Sequence, residues 1–238
     1  MNSLKKRYII LFCLTLCFAL NVHGQYRKSQ NQPYADQKLY HFGFNLGLHT
    51  QDLMLTNTGF VQQDGEAWFA EIPSYSLGFS IGLIADRYLS QYFNLRVNPT
   101  VHFGEKRFVF REQSSGEEYE KTLKGNYLTI PLHLKFSAPR TNNFRPYLLA
   151  GPYLAVDISP VKNEALRFKG TDYGLEFGVG CNFYLPYFKV CPEIKFSLGL
   201  ANLINTDRSD LSDPLLIKYS DAVSGGKSRM ISLVLNFE

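Results

Sequence analysis

The 238-residue sequence has little of what most function classes need. Beyond the N-terminus there is no apolar run of 18 residues, and mean hydropathy is only −0.16. Together these exclude a polytopic helical membrane protein. They do not exclude a membrane barrel, whose alternation disappears in an average. Net charge is scarce too. The formal +4 falls to +1 once Lys5, Lys6 and Arg7 are set aside, leaving 22 basic against 21 acidic residues and no basic excess for nucleic acid. Cysteines number four, of which Cys13 and Cys17 lie in the N-terminal apolar stretch. Histidine, cysteine and acidic residues show no metal-ligand spacing. Gly174, Gly178 and Gly180 stand in a strand-like segment with no helix to follow, so they form no phosphate cradle, and the run from Ser224 to Lys227 is a loop and not a phosphate-binding turn.

What the sequence does have begins with its leader. Lys5-Lys6-Arg7 precede 13 apolar residues, Tyr8 to Leu20, and Val22 and Gly24 suit a signal peptidase cutting before Gln25. Residues 1–24 therefore read as a signal peptide. Bulky Phe12 and Leu16 before the two cysteines argue against a lipoprotein. With 45% hydrophobic and 15% aromatic residues, the remainder is one compact fold, not a disordered chain.

From residue 39 onward the dominant signal has a period of two. Apolar residues alternate with polar or small ones in eight segments: Tyr40 to Leu48, Tyr75 to Leu83, Phe93 to Phe103, Leu128 to Phe136, Phe144 to Ala155, Tyr173 to Phe183, Phe188 to Leu198 and Ile231 to Phe237. The connections alternate in length. His49–Pro73, Glu105–Asn126, Val156–Asp172 and Ala201–Ser228 hold 25, 22, 17 and 28 residues; Asp86–Gln91, Ser137–Asn143 and Tyr184–Tyr187 hold six, seven and four. An all-β, eight-stranded antiparallel transmembrane barrel of the outer membrane has this plan, with short periplasmic turns and long extracellular loops. Residues 25–38 then form a periplasmic N-terminal segment and residues 39–238 the barrel, folded with the help of the barrel assembly machinery and surrounded by the outer-membrane lipid bilayer. Aromatics gather at the short-turn rim, where an interface girdle belongs: Tyr88, Tyr92, Phe93, Phe136, Phe144, Phe183, Tyr184, Tyr187, Phe188 and Phe237.

Four prolines, Pro99, Pro131, Pro152 and Pro192, fall inside these strands and imply bulges or displaced boundaries. Register argues against a disulfide. A four-residue turn sets Phe183 opposite Phe188 and Cys181 opposite Val190, which sends Cys181 and Cys191 to opposite faces.

The polar face carries His41, His49, His102 and His133 with Arg96, Lys135, Glu176, Lys189, Glu193 and Lys195. Only His49 and His102 approach the outer rim, and spacing places no Ser or Asp beside either. An eight-stranded barrel is too narrow for an aqueous channel, so mutual pairing inside a filled lumen is the simpler use of these groups. No catalytic, cofactor-binding or metal residue is assigned. A ligand-carrying soluble barrel, turned inside out, stays open at this point because periodicity does not say which face is inward. The charges between Lys106 and Lys124 read as a solvated extracellular loop, with a docking surface as the alternative.

Particular segments resemble the PorT family of outer-membrane proteins in type IX secretion and gliding motility. They are Tyr40-His41-Phe42-Gly43-Phe44; Gly82-Leu83-Ile84-Ala85-Asp86 followed by Tyr92-Phe93-Asn94-Leu95-Arg96; Phe183-Tyr184-Leu185-Pro186; and Ser228-Arg229-Met230 with Asn236-Phe237-Glu238. The resemblance extends over residues 39–238. It implies a non-enzymatic barrel needed for export of proteins with C-terminal sorting domains, acting with other type IX secretion components. The alternatives are a generic small barrel in adhesion or envelope integrity and, third, a lipid-modifying barrel hydrolase.

Overall fold

The computed structural model describes residues 30–57, 68–71, 76–112, 118–159, 169–204 and 223–238. The proposed signal peptide and its cleavage point lie outside the described residues. After a short 3-10 turn, Ala35–Gln37, the strands are β1 (Tyr40–Asn57), β2 (Trp68–Glu71), β3 (Leu77–Tyr88), β4 (Phe93–Val97), β5 (Thr100–Phe103), β6 (Glu105–Glu112), β7 (Glu118–Lys124), β8 (Tyr127–Ser137), β9 (Phe144–Asp157), β10 (Thr171–Tyr184), β11 (Lys189–Gly199) and β12 (Val223–Phe237).

Nine of these form a sheet that closes on itself. The order β1-β12-β11-β10-β9-β8-β4-β3 is antiparallel throughout, β5 continues β4 between the same neighbours, and β1 also pairs β3. Phe44 at the seam sits opposite Phe237 on one side and Leu83 on the other. Counting β4 and β5 as one stave, the wall has the eight staves expected, and closure removes every free edge.

The prolines act differently from the expectation of bulges. Pro99 lies in the gap between β4 and β5, yet the register is the same on either side of it: Val97↔Leu132 and Thr100↔Thr129 against β8, Ala85↔Val97 and Gly82↔Thr100 against β3. No residue is inserted. Pro99 lacks a donor, but its carbonyl still accepts from Leu83 N–H at 3.0 Å. Pro131, Pro152 and Pro192 stay inside β8, β9 and β11, each beside a short interruption in one ladder whose register is kept on both sides.

The face question is settled by burial. Phe79, Ile81, Leu83, Leu132, Leu134, Phe177, Val179, Ile194, Phe196, Leu233 and Leu235 point outward and are about half exposed, whereas Arg96, His133, Glu193, Lys195, Asn45 and Asn236 are buried within the lumen. This reverses the arrangement of a soluble ligand-carrying barrel and matches an apolar belt against lipid. A few apolar side chains join the interior: Ile84, Val234, Tyr147 and Leu149. The run Tyr147-Leu148-Leu149 resolves into in, out, in. Its two inward rows face a column of glycines, since Gly180 pairs Tyr147, Gly178 pairs Leu149 and Gly174 pairs Tyr153. A methyl group on Gly180 would lie 2.5 Å from Tyr147 Cζ, so these glycines make room for large neighbours in a narrow lumen.

At the short-turn rim the connections are Leu89–Tyr92, Ala138–Asn143 and Leu185–Phe188. Asn142, with φ of 59°, occupies the left-handed region in the turn closed by Thr141 and Phe144. The last hairpin differs from the sequence reading: Phe183 pairs Val190 and Tyr184 pairs Lys189, a slip of two residues that preserves faces. Cys181 and Cys191 are free thiols; Cys191 is buried, while Cys181 lies on the outer side of the wall. The aromatic girdle forms as cross-strand pairs, with ring centroids 5.0 Å apart for Phe44 and Phe237, 5.2 Å for Phe93 and Phe136 and 5.5 Å for Phe144 and Phe183. Tyr184 departs from this girdle, pointing inward and buried.

At the opposite rim the staves outrun the apolar belt. β1 continues nine residues past Leu48 and β12 begins at Val223. The charge-rich stretch Lys106 to Lys124 is a hairpin of β6 and β7 rather than an irregular loop, and β2 from the preceding connection adds a third strand in the order β2-β6-β7.

Candidate functional site

The polar residues of the lumen assemble in tiers. The tier toward the short turns centres on Arg96, whose side chain is fully buried. Its β3 neighbour Asp86, directly opposite in register, lies 3.1 Å from Nε and 3.0 Å from Nη2 through Oδ2. Across the lumen Glu193 Oε2 on β11 is 3.5 Å from Nη1, and the side chain of Glu238, just past β12, pairs with Nη2. Around this core Lys189 binds Glu238 at 2.7 Å, Lys135 lies 3.8 Å from Asp86 and donates to Asn182, Tyr147 donates to Glu193 at 2.6 Å and Asn94 donates to Asp86 at 2.6 Å. Three carboxylates thus meet three cations, contributed by β3, β4, β8, β11 and the chain end. Buried pairs of this kind add little net stability over an apolar filling, but they fix which walls face each other.

In the middle tier Glu176 on β10 lies 3.0 Å from His133 Nε2 and 3.1 Å from Lys195 Nζ, and accepts from Ser197 at 2.6 Å. In the third tier, toward the long loops, the rings of His49 and His102 meet edge to face at 4.9 Å. His102 bonds Thr129 at 3.0 Å and His49 bonds Gln51 at 3.0 Å. Ser228 and Tyr153 bond Asp172 as a separate group. A cavity of about 40 Å³ lies between these groups, room for two or three waters. Spacing had put no Ser or Asp beside either outer histidine. The fold brings Ser228 and Asp172 to the same cavity, but not into a relay, because their bonds run to each other and to Tyr153.

The short-turn mouth is covered by Asn31–Lys38. Ala35 is buried there, and its carbonyl lies 2.5 Å from His41 Nε2. Asp36 is held by Arg145 at 3.1 Å, by Arg140 at 3.8 Å and by the hydroxyl of Tyr184. Arg140 in turn stacks 3.5 Å above the Tyr184 ring and donates to the carbonyls of Asn31 and Gln32. Asn31 completes the latch through Asn143 and the carbonyl of Tyr184.

A closed eight-stave wall, apolar outside and ionic inside, with tight turns at one rim, is the geometry of a small barrel in an outer membrane. The model of the outer membrane protein beta-barrel domain family matches residues 28–205. The chain belongs to that family. Among solved structures, the chain is similar to the outer membrane protein OprG of Pseudomonas aeruginosa (TM-score 0.47, 13% identity, 89% of this chain and 96% of that one). Neisserial surface protein A is similar at TM-score 0.44 and 12% identity, covering 84% of this chain and 98% of its own, and the N-terminal barrel domain of Pseudomonas aeruginosa OprF at 0.32 and 13%, covering 82% and 97%. No curated protein matches the chain. The family match, together with the inverted burial, places this barrel in the outer membrane. Its tight turns are then periplasmic and its long connections extracellular.

The lumenal histidines and charges anticipated from sequence are all on the barrel's inner face. Sequence reasoning missed Asp86, which it placed in a turn, Glu238, which it named only in the closing segment of the resemblance, and Asp36. Asp86 and Glu238 continue the inward parity of Gly82 and Asn236, so carrying the alternation two steps past Gly82 and one past Asn236 would have found them.

Proposed function

We propose that this barrel is a non-enzymatic outer-membrane component of the type IX secretion system, needed for export of proteins bearing C-terminal sorting domains and, where present, for gliding motility. The observation that carries the reading is where the segments resembling the PorT family meet. They supply Asp86, Asn94, Arg96, Asn236 and Glu238 to the ionic hub, and His41 and Tyr184 to the N-terminal latch. The resembling segments therefore contribute to the lumenal brace and its periplasmic cover as well as to the lipid-facing wall, which supports the reading beyond the alternation that any small barrel shares.

A lumen crossed by this hub and covered at its periplasmic mouth is no conduit for a folded protein, so the role assigned is structural. Other secretion components would be met at the periplasmic turns or along the long connection Ala201 to Ser228, most of which lies outside the described residues. Insertion would use the barrel assembly machinery, to which penultimate Phe237 offers the aromatic residue near the end of the last strand. The test is to delete the gene, restore it on a plasmid, and compare extracellular and surface proteins. Periplasmic retention of sorting-domain cargo is expected. Normal export would overturn the secretion role and leave a barrel serving adhesion or envelope integrity. Replacing residues 205–222 by a short turn then separates the two contact surfaces, because export should fail only if the long connection is the one used.

A further inference from the structure

The latch over the short-turn mouth occupies a site that the barrel builds from its own turns. Arg140 donates from Nε to the Asn142 carbonyl at 2.7 Å and from Nη2 to Asn143 Oδ1 at 3.2 Å, and its guanidinium lies on the Tyr184 ring. Arg145 is held in the same way, with Nε donating to the Ala138 carbonyl at 2.9 Å and Nη2 to the Gln91 carbonyl at 2.5 Å. None of these bonds needs the latch, so both guanidinium groups are oriented before it docks. What remains of them reads a peptide. Arg140 donates to two successive main-chain carbonyls, Asn31 and Gln32, while Arg145 Nη1 and the Tyr184 hydroxyl take the carboxylate of Asp36. Among the described residues Asp36 is the one carboxylate that pairs with either arginine.

We propose that this cradle is a docking site for an acidic segment of a periplasmic protein, which displaces Asn31–Lys38 and sets its own carboxylate between Arg145 and Tyr184. Three features argue for that occupant. First, the latch is lightly held. Of its residues only Ala35 is fully buried, Pro33 and Tyr34 are exposed, and Gln32, with φ of 48°, is strained in the left-handed region. A segment with so little apolar burial opens readily while the staves stay closed. Second, the charge left behind has one sign. Asp36 is the only acidic residue before Asp52, and the turns Leu89–Tyr92, Ala138–Asn143 and Leu185–Phe188 contain none. The hub carboxylates Asp86 and Glu238 are already paired with Arg96, Lys135 and Lys189, so the vacated cradle keeps two arginines, with exposed Lys38 and Arg87 on the same rim. Oriented arginine forks suit a carboxylate better than flexible ammonium groups do. Third, Arg145 and Tyr184 point inside the ring of staves and Arg140 stacks on Tyr184, away from the lipid around the wall. The pattern they read, two adjacent carbonyls and then a carboxylate, belongs to a polypeptide. The inference rests on the orientation of the barrel and not on the secretion reading.

The test uses the full chain refolded in detergent and, as probe, an acetylated peptide of residues 31–38 with a fluorophore on its lysine, binding being read by fluorescence anisotropy. Asp36→Asn removes the carboxylate that competes from within the chain, so this variant should bind the probe about tenfold more tightly than the natural chain, the equivalent of one charge-assisted hydrogen bond. In the Asp36→Asn background, Arg145→Gln and Tyr184→Phe, the second of which removes a hydroxyl alone, should each weaken binding. The shift in gel mobility on heating confirms that each variant is folded. No binding by the Asp36→Asn chain, equal binding by the natural chain, or equal binding of a probe with asparagine in place of its aspartate would overturn the docking site. A cell-wall muropeptide that displaces the probe as well as the unlabelled peptide does would overturn the assignment to a protein segment.

Discussion

Replacing Arg96 by methionine tests the ionic hub most directly. The substitution keeps much of the side-chain length but leaves Asp86, Glu193 and Glu238 facing only Lys135 and Lys189. One buried negative charge is then uncompensated. Removing one partner from a buried ion pair destabilises by about 3–5 kcal/mol. With a urea dependence of about 2 kcal/mol per molar, the unfolding midpoint of the barrel in lipid vesicles should fall by about 1.5–2.5 M. Glu238→Gln alone should be harmful for the opposite reason, since Arg96 and Lys189 both lose their partner in Glu238. The double variant restores neutrality. It should lose clearly less than the two singles combined, with a coupling of at least about 1.5 kcal/mol, as found for close buried charges. The measurement is equilibrium unfolding by tryptophan-independent means, such as far-ultraviolet circular dichroism, with gel mobility as the check on folding. A loss below about 1 kcal/mol for Arg96→Met, or additivity of the double variant within about 0.5 kcal/mol, would refute the claim that these groups act as one balanced cluster.

Other substitutions probe the remaining parts of the barrel. Gly151→Ala would put a methyl group 1.9 Å from the Leu132 carbonyl oxygen, which no side-chain movement relieves, so refolding yield should drop sharply and Leu132→Ala should not restore it. Gly180→Ala meets the Tyr147 ring at 2.5 Å; a loss of about 1–3 kcal/mol is expected by denaturant titration, part of it recovered when Tyr147 is also reduced to Ala. Asp36→Asn removes the charge that Arg145 and Arg140 hold, so amide exchange of residues 31–38 should accelerate while the strands stay protected, and unchanged exchange would show that the latch does not depend on that ion pair. In the folded barrel in vesicles, a lipid-soluble maleimide should modify Cys181 and spare Cys191 until denaturant is added; early modification of Cys191 by mass spectrometry would contradict its burial.

The staves were legible because lipid on one side and a narrow polar lumen on the other impose a period of two on almost every residue between Tyr173 and Phe183, or Ile231 and Phe237. Their ends were not. Beyond the belt, outward positions such as Thr50, Asp52, Lys227 and Arg229 turn polar while the backbone ladder continues, so a hydrophobic criterion stops where the lipid stops and not where the strand stops. The same blind spot hid Asp86, a charge at the end of an apolar run that resembles the start of a turn. The register of the last hairpin was off by two residues for a related reason. Alternation fixes the face of a strand, and a slip of two leaves every face unchanged. The hub itself was only partly legible: that Arg96, Lys135 and Glu193 share an inner face follows from parity, but that they meet one another depends on which staves oppose across the closed wall.

The tiers and the latch together constrain how this barrel works. Arg96 links β4 to β3, β11 and the chain end; Glu176 links β10 to β8 and β11; Asp172 links β10 to β9 and β12. Opening the lumen would break links in all three tiers and expose several charges to each other without their partners. A partner that binds either rim has no low-energy lumenal motion to drive. Its effects must instead travel through the rim segments themselves, the latch Asn31–Lys38 on one side and the β2-β6-β7 sheet with the long connections on the other. Substitutions that impair the cellular role while leaving the unfolding midpoint unchanged should therefore map to those rims and not to the lumen.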